Sequence, residues 1–395
     1  MPAWAWYALT RVMTLLMMLL EPAVLADPMK WLIELDRVGP AVAFPEYPWP
    51  SVALMHLPMR LGIPTILHYY AAVVLFMLGV DALVAWLLWR AAGSRMSAGL
   101  RLWLLFVPAL GPIVFARFDL VPAALTAAAL LALATPRAAT AGALTALGAS
   151  FKLWPAASLP ALLVPLDRAR RWKTVAALTG VAAGLAAATA AAAGWSRLWS
   201  PLAAQAERGL QLEAFPALPL LWARFFDATG AWSVRYAACK CHEIFGPGVH
   251  SALQVGTYSL VIGGLVLIAL HVRAFGASAE RRTPAVSALL TALVVMVWLF
   301  GGRVFSPQYV IWLAAPVAVL GVLPGQPRPA LEVGLFVIAS LLTHVVFPFG
   351  YGPLINPPDG FQATVLAAMT LRDLLLVVLA ARLALRLWRA TAPAA

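Results

Sequence analysis

Three charged side chains interrupt an otherwise apolar stretch in the first half of this sequence. Arg117, Asp119 and Lys152 stand among alanines and leucines, and prolines break the helical pattern around them. A charge inside or beside a lipid bilayer costs several kcal/mol unless it is paired or faces water, so such charges mark function or topology. Arg137 fits a topological role, whereas we interpret the other three residues as parts of one site.

The composition places this site in a membrane protein. Of the 395 residues, 63% are hydrophobic and only 11% are charged, whereas about 25% of the residues in a soluble domain are charged. At about 20 apolar residues per spanning helix, the chain has room for about 11–13 transmembrane helices. We therefore predict an all-α polytopic membrane protein, with residues 1–395 forming a single transmembrane domain.

The net charge of +12 has a topological explanation. Most lysines and arginines fall in short loops between apolar segments, and the most basic run is DRARRWK at residues 167–173. Basic loops stay on the cytoplasmic side, so this pattern predicts that both termini are cytoplasmic. Membrane lipids are expected partners, and nucleic acid is not.

Two long polar loops are then expected on the outer side of the cell membrane. Residues 27–62 mix charged and apolar side chains as in a short interfacial helix, and residues 195–250 form the second external region. Within the second, residues 215–226 are too short for a span and fit a re-entrant or interfacial piece. The residues placed at external helix ends or in external loops are Asp27, Glu46, Arg117, Asp119, Lys152, Arg208, Glu213, Arg303, Gln308 and His344.

The first apolar segment, residues 4–25, has two interpretations. The sequence Ala-Val-Leu-Ala-Asp that ends it resembles a signal-peptidase site after a short apolar region. A retained first helix is favoured, because Trp4 and Trp6 occupy the place of a basic leader segment.

The sequence shows no spacing typical of metal ligands. Cys239 and Cys241 are separated by one residue, which strains a disulfide and is too short to hold a metal alone. We interpret the two cysteines as incidental and predict no protein-bound metal and no cofactor.

Several sequence elements resemble the family-87 polyprenyl-phosphate-dependent membrane glycosyltransferases, which are of GT-C type. The central signature is RFDLVPAALTAAALLAL followed by AGALTALGASFKLWPAASLPALL. The family also has an Asp soon after the first helix, an E-Y-P-P element and an S-P-Q-Y-x-x-W-L element, which read here as Asp27, EYPWP at 46–50 and SPQYVIWL at 306–313. Two positions depart from the pattern: Trp49 replaces the second proline, and Trp31 replaces a tyrosine.

The resemblance implies inverting transfer of a sugar, with mannose expected, from a polyprenyl-phosphate donor to a lipid or glycan acceptor. The alanine-rich, arginine-over-lysine composition resembles that of high-GC actinobacterial proteins, which fits a lipid-linked mannose or arabinose donor. One carboxylate must take the proton of the acceptor hydroxyl, and Asp27 is the expected base. Glu46 and Asp36 are the reserves for this role.

Fixed cations would stabilise the phosphate that leaves in this reaction. The candidate phosphate ligands are Arg117, Lys152 and Arg303, with His344 as a further donor. The residues expected to bind the sugar or the acceptor are Tyr47, Asp119, Glu213, Gln308 and Tyr309.

Structural roles and a different function are the alternatives. Asp27 fits a helix N-cap, His344 fits a packing residue, and Arg372 with Asp373 fits a structural pair. The alternative function is a transporter or flippase for a lipid-linked or amphiphilic anion. A transporter predicts polar residues through the bundle depth and two related halves, whereas this sequence collects its polar residues at one face.

Overall fold

The computed structural model describes residues 2–62, 65–206, 208–237, 240–324, 329–357 and 359–392. The α-helices in these ranges are α1 (Ala3–Leu20), α2 (Ala26–Val38), α3 (Trp49–Arg60), α4 (Ile66–Ala91), α5 (Ala98–Leu110), α6 (Leu120–Ala132), α7 (Ala138–Phe151), α8 (Leu159–Leu163), α9 (Arg168–Ala193), α10 (Ser196–Ala206), α11 (Leu218–Phe226), α12 (Val249–Gly276), α13 (Pro284–Gly301), α14 (Val310–Leu320), α15 (Ala330–His344), α16 (Tyr351–Ile355) and α17 (Gly360–Ala390). A hairpin pairs β1 (Ser233–Tyr236) with β2 (His242–Phe245).

Short helical turns of other types connect several of these helices. The 3₁₀ turns are Pro22–Leu25, Pro112–Phe115, Trp154–Ser158, Phe215–Ala217, Ala279–Arg281 and Pro307–Tyr309, and a π-helical turn covers Val345–Phe349. Most of these turns have a proline at their first or second position, where its missing N–H costs no hydrogen bond.

Seven helices of the described chain are long and apolar enough to cross a membrane. They are α1, α4, α9, α12, α13, α17 and the continuous segment Ala330–Phe349. The prediction of an all-α polytopic membrane protein is thus confirmed. The other apolar helices are shorter than a full span, and the hairpin in the second polar region was not predicted.

The centre of the bundle is formed by α13 and α14. Every residue of α14 is buried, and 78% of the most apolar part of α13 is buried. By contrast, only 6% of α9 and 11% of α12 are buried, so these long apolar helices form the lipid-facing surface. Where α5 packs against the end of α14, the backbone N–H of Gly99 donates to the Gly321 carbonyl at 3.2 Å. A Cβ on Gly99 would overlap the Ala318 carbonyl oxygen there.

The first helix is attached to the bundle through polar side chains. The buried residues of α1 are Thr10, Arg11 and Thr14. Arg11 makes a two-pronged contact with Asp81 of α4, at 2.8 and 2.7 Å, and the Trp103 indole N–H donates to the same carboxylate at 2.8 Å. An ionised pair is tolerated at this depth because each charge is neutralised and hydrogen-bonded.

Three chain reversals meet at one end of the bundle, which we call the cavity end. They are the segments 111–119 before α6, 152–158 after α7 and 302–309 before α14. At the other end, the Thr174 hydroxyl near the start of α9 donates to Ala138 at the start of α7, at 3.0 Å. The charged residues of interest therefore lie where helices end, and the apolar helices between the two ends separate them from the basic loops.

The two polar regions of the sequence cover the cavity end. In 27–62, α2 turns Trp31 and Leu35 inward, and Trp31 contacts Phe118 with ring centres 4.8 Å apart. The region 195–250 contains α10, α11 and the hairpin, and it forms a second small apolar core with residues of α17 such as Leu366. Both regions are therefore packed structures that hold side chains in place over the bundle.

Candidate active site

A cavity of about 380 Å³ opens at the cavity end. The predicted site residues that line it are Asp27, Glu46, Tyr47, Lys152, Arg303, Gln308 and Tyr309. They come from α2, the proline-rich turn at residues 46–50, the end of α7 and the 302–309 segment, which are far apart in sequence. The structure thus brings the expected base and two of the four expected phosphate ligands, Lys152 and Arg303, into one space.

Asp27 is held by an arginine that lies beneath the cavity. The Nε atom of Arg117 is 3.0 Å from Oδ2 of Asp27, and Lys30 is 3.7 Å from Oδ1. Arg117 is 5% exposed, and its Nη1 donates to the carbonyls of Val24 and Ala116 at 2.8 and 3.0 Å. Arg117, which the sequence assigned to the phosphate, therefore lies against the Asp27 carboxylate and does not line the cavity.

Lys152 is paired with the buried carboxylate of Asp119. Its ammonium is 3.4 Å from Oδ1 of Asp119, and the Trp312 indole N–H donates to the same oxygen at 2.8 Å. Burial has the largest single effect on the pKa of Lys152 and lowers it, but Asp119 together with Tyr47 and Tyr309 outweighs burial, so the pKa is raised. Lys152 is therefore a fixed cation, and Asp119, 1% exposed, lies behind it instead of facing the cavity.

Aromatic rings surround the Lys152 ammonium on its other sides. It lies 4.7 Å from the ring centre of Tyr47, 5.4 Å from Tyr309 and 5.7 Å from Trp312. The Tyr309 and Trp312 rings are stacked with centres 4.0 Å apart. Burial raises the pKa of Tyr47, so its phenol stays neutral. Ring faces attract a cation, and they also offer flat apolar surface to a sugar.

Three additional cations line the cavity, of which only Arg208 was expected on the external side from the sequence. Lys30, Arg208 and Lys240 line it together with the predicted Arg303. Lys30 donates to the Tyr236 hydroxyl at 3.0 Å, and Lys240 lies 4.8 Å from the ring centre of Phe44. Charged residues are common in polar loops, so their types alone could not distinguish these lysines from solvent-facing ones.

The turn that carries Glu46 is held by a buried arginine of α10. The Nη2 atom of Arg197 donates to the carbonyls of Ala43 and Phe44 at 2.7 and 2.8 Å. Burial lowers the pKa of Arg197, while Glu46 opposes that shift. The Ser51 hydroxyl donates to the Phe151 carbonyl at 2.7 Å, next to Lys152. Glu46 is thus kept at the cavity by contacts of its own turn.

His344 is not brought to the cavity. Its Nε2 lies 2.9 Å from Oε2 of Glu21, and both side chains are buried. Gly111, with φ of +79°, makes room for the ring, because a Cβ there would overlap His344 Nε2. His344 therefore lies outside the cavity lining, in a position that the packing alternative describes.

Glu213 is also buried away from the cavity. It is 0% exposed, and its Oε2 accepts from Nη1 of Arg372 at 2.7 Å while its Oε1 accepts from the Tyr351 hydroxyl at 2.5 Å. Nε of Arg372 in turn donates to Asp373 at 2.9 Å. Glu213 therefore does not line the cavity, because its position in a polar stretch of sequence did not show how deeply that loop is packed.

Cys241 lines the cavity and is disulfide-bonded, which corrects its interpretation as incidental. Cys239 lies outside the described residues. Among the residues that the structure describes, no three His, Cys, Asp or Glu side chains converge as a metal site.

A second, smaller groove adjoins the cavity on the side of α7 and α9. It has a volume of about 200 Å³ and shares Pro48, Leu153 and Pro201 with the cavity. Its walls are mostly small apolar side chains, including Ala149 and Ala186. Because α9 packs on α7 and leaves most of its own residues exposed, this groove opens toward lipid.

The fold and the cavity together define a polytopic membrane protein with a polar site at one end of its helices. Residues 47–209 match the sequence model of glycosyltransferase family 87. The match covers about two fifths of the chain and includes Tyr47, Arg117, Asp119 and Lys152. It confirms the resemblance to family 87 over this part of the chain and supports a membrane glycosyltransferase. No curated protein matches the chain.

Proposed function

We propose that this protein is a glycosyltransferase that transfers mannose from a polyprenyl-phosphate donor to a hydroxyl of a lipid or glycan acceptor, with inversion at the anomeric carbon. The observation that carries the proposal is the pair of Asp27 and Lys152 in one cavity, each held by a buried partner of opposite charge. A carboxylate and a fixed cation in the same space are what such a transfer requires.

Asp27 acts as the general base in this proposal. Its carboxylate takes the proton of the acceptor hydroxyl while that oxygen attacks the anomeric carbon and the bond from this carbon to the phosphate oxygen breaks. Arg117 orients the carboxylate, because its guanidinium is itself fixed by the carbonyls of Val24 and Ala116. Glu46 is the reserve base, and Asp36 is less suited because it is exposed and does not line the cavity.

Lys152 and Arg303 stabilise the phosphate that leaves. The departing group gains negative charge as the glycosidic bond breaks, and a preoriented cation interacts with that charge more strongly than with the ground state. Asp119 keeps Lys152 in place, so no reorganisation is needed during the reaction. Tyr47, Tyr309 and Gln308 line the same space and are proposed to contact the sugar.

The second groove supports a lipid-linked donor. It meets the cavity at Leu153, the residue after the proposed phosphate ligand Lys152, and it opens toward lipid along α9. A prenyl chain attached to a phosphate at Lys152 can therefore leave the cavity along a groove whose lining is mostly apolar.

The distribution of arginines supports an extracytoplasmic cavity in the cell membrane. At the end opposite the cavity, Arg171 lies 4.9 Å from the ring centre of Phe275 and Arg273 lies 3.7 Å from that of Trp388. Arginine-rich loops are retained in the cytoplasm, which points the cavity outward and leaves both termini inside.

Transfer by purified protein tests the proposal. The protein in lipid nanodiscs is incubated with radiolabelled polyprenyl-phosphate mannose and a membrane glycolipid extract, and Asp27→Asn is compared with the matched Asp36→Asn. We expect product from wild type and from Asp36→Asn, and a loss of about 10²–10⁴-fold in Asp27→Asn. If wild type gives no product with several sugar donors but takes the donor up into sealed vesicles, the enzyme proposal is wrong and the transporter alternative is supported.

A further inference from the structure

A buried polar network lies beside the cavity and does not line it. Its core is the pair of Glu213 and Arg372, each with a side chain 0% exposed. Asp373 and the Tyr351 hydroxyl complete the contacts of this pair, at 2.9 Å from Arg372 and 2.5 Å from Glu213. A buried ion pair does not by itself favour folding over a well-packed apolar pair. We therefore ask which neighbouring segment this network holds in position.

Gln211 connects this network to the segment that carries Arg303. Its side-chain oxygen accepts from the backbone N–H groups of Glu213 and Phe305, both at 3.1 Å. Its side-chain nitrogen donates to the Tyr351 hydroxyl at 3.4 Å. Its backbone N–H donates to the Arg303 carbonyl at 3.0 Å. One glutamine thus ties together two loops and α16.

The two arginines of the cavity rim are joined at the same place. Nη1 of Arg303 donates to the Arg208 carbonyl at 3.1 Å, and both residues line the cavity. Glu243 accepts from the Gly209 N–H at 2.8 Å and fixes the backbone next to Arg208. The positions of the Arg208 and Arg303 guanidinium groups therefore depend on how the 208–214 segment is aligned with the 302–306 segment.

We propose that Gln211, Tyr351 and Glu213 are positioning residues that set Arg303 at the donor phosphate, with Arg372 as their anchor in α17. The proposal rests on the proposed function, because it takes Arg303 as a phosphate ligand. The network fixes the backbone on both sides of Arg303, through the Arg303 carbonyl and the Phe305 N–H. A displacement of about 1 Å in such a ligand can cost about 10²-fold in rate.

This role also explains why polar side chains occupy the place. Arg372 lies 4.4 Å from the ring centre of Phe305, so the anchor contacts the same segment from its other side. An apolar cluster could pack these loops, but it could not accept the N–H groups of residues 213 and 305, which would be left buried and unpaired.

The test compares Gln211→Met and Tyr351→Phe with their matched controls Gln254→Met and Tyr258→Phe, which alter exposed residues of the lipid-facing α12. Transfer rates give kcat and the KM for the donor, and thermal melting in nanodiscs gives stability. Each network variant loses one or more hydrogen bonds, so we expect the donor KM to rise up to about tenfold, while the acceptor KM and the controls stay near wild type.

Coupling to Arg303 separates positioning from simple stabilisation. If Gln211 acts through Arg303, the double variant Gln211→Met with Arg303→Met has the donor KM of Arg303→Met alone, because the ligand to be positioned is already absent. Multiplied effects in the double variant, or an equal rise of donor and acceptor KM, would overturn the proposal. Should Gln211→Met fail to fold, Tyr351→Phe with Arg303→Met answers the same question.

Binding distinguishes a failure of this inference from a failure of the proposed function. Polyprenyl phosphate without sugar is titrated onto the same nanodiscs, and its Kd is measured for wild type, Gln211→Met and Arg303→Met. No transfer by wild type would overturn the proposed reaction, yet a weaker Kd in both variants would still support the positioning role. Unchanged Kd values in both variants would overturn the inference even if transfer is observed.

Discussion

The Lys152 ammonium lies 3.4 Å from Oδ1 of Asp119, a residue placed 33 positions earlier and behind the cavity wall. The same oxygen accepts the Trp312 N–H, so the carboxylate fixes both the cation and one of the rings beside it. This contact makes Lys152 a preoriented charge and assigns Asp119 to its support.

Replacing Lys152 by Met removes that charge at nearly the same side-chain length. We expect kcat to fall about 10²–10³-fold, as for the loss of one preoriented electrostatic group, while Lys152→Arg retains part of the activity. Lys173→Met, which alters an exposed lysine at the opposite end, is the control. Activity near wild type in folded Lys152→Met would contradict the role of this lysine.

Arg117 gives a test that separates orientation of the base from phosphate binding. Arg117→Gln removes the contact with Asp27, and we expect kcat to fall more than tenfold with little change in the donor KM. Arg117→Lys should not restore the rate, because an ammonium cannot reproduce the planar fork that serves both Asp27 and two carbonyls. A large rise in the donor KM without a change in kcat would instead indicate that Arg117 binds the donor phosphate.

The stability losses caused by replacing Arg11 and Asp81 are expected to be non-additive. Asp81→Leu leaves the Arg11 charge buried without its partner and should cost about 3–5 kcal/mol. Arg11→Met with Asp81→Leu should recover most of that loss, since both charges are gone. Chemical or thermal unfolding of the single and double variants in detergent measures this. Additive destabilisation would mean that other contacts hold α1.

Gly111 predicts a steric effect that can be separated from backbone strain. Gly111→Ala adds a Cβ at φ of +79°, where it would overlap His344 Nε2. Gly39 has φ of +74°, and no heavy atom lies within 4 Å of the position that a Cβ would take there, so Gly39→Ala reports the strain alone. Strain of this kind costs more than about 0.4–1 kcal/mol, and Gly111→Ala should lose clearly more stability than Gly39→Ala. Equal melting temperatures would show that the His344 ring moves aside without a loss of stability.

The second groove predicts a dependence on the length of the donor lipid. Ala186→Trp narrows the groove and should raise the KM of a long-chain polyprenyl-phosphate sugar, while a donor with one or two prenyl units is affected little. Ala183→Trp, at an exposed position of α9 outside the groove, is the control. The same KM change for both chain lengths would place the tail elsewhere.

The sequence was sufficient to locate the cavity at one end of the bundle, because charges between apolar segments are rare and carry strong meaning. It could not show which charges contact each other: that Arg117 supports Asp27 and Asp119 supports Lys152 depends on tertiary packing.

Burial depth explains the residues that the sequence misplaced. Glu213 and His344 lie at helix ends or in a polar loop, yet both are buried against partners from distant segments, Arg372 and Glu21. The Arg11 and Asp81 pair could have been found, since each charge interrupts an apolar segment. Pairing them required the contact between α1 and α4 that only the fold provides.

The helices at the centre of this protein are shorter than the bilayer that surrounds it is thick. The inner helices α5, α6, α7 and α14 have 11–14 residues, or about 17–21 Å, whereas a bilayer has a hydrocarbon core of about 30 Å. The outer helices α9 and α12, with 26 and 28 residues, span the full depth. In the proposed reaction the acceptor hydroxyl can therefore meet the lipid-linked sugar below the headgroups, and the lipid carrier need not be lifted out of the bilayer.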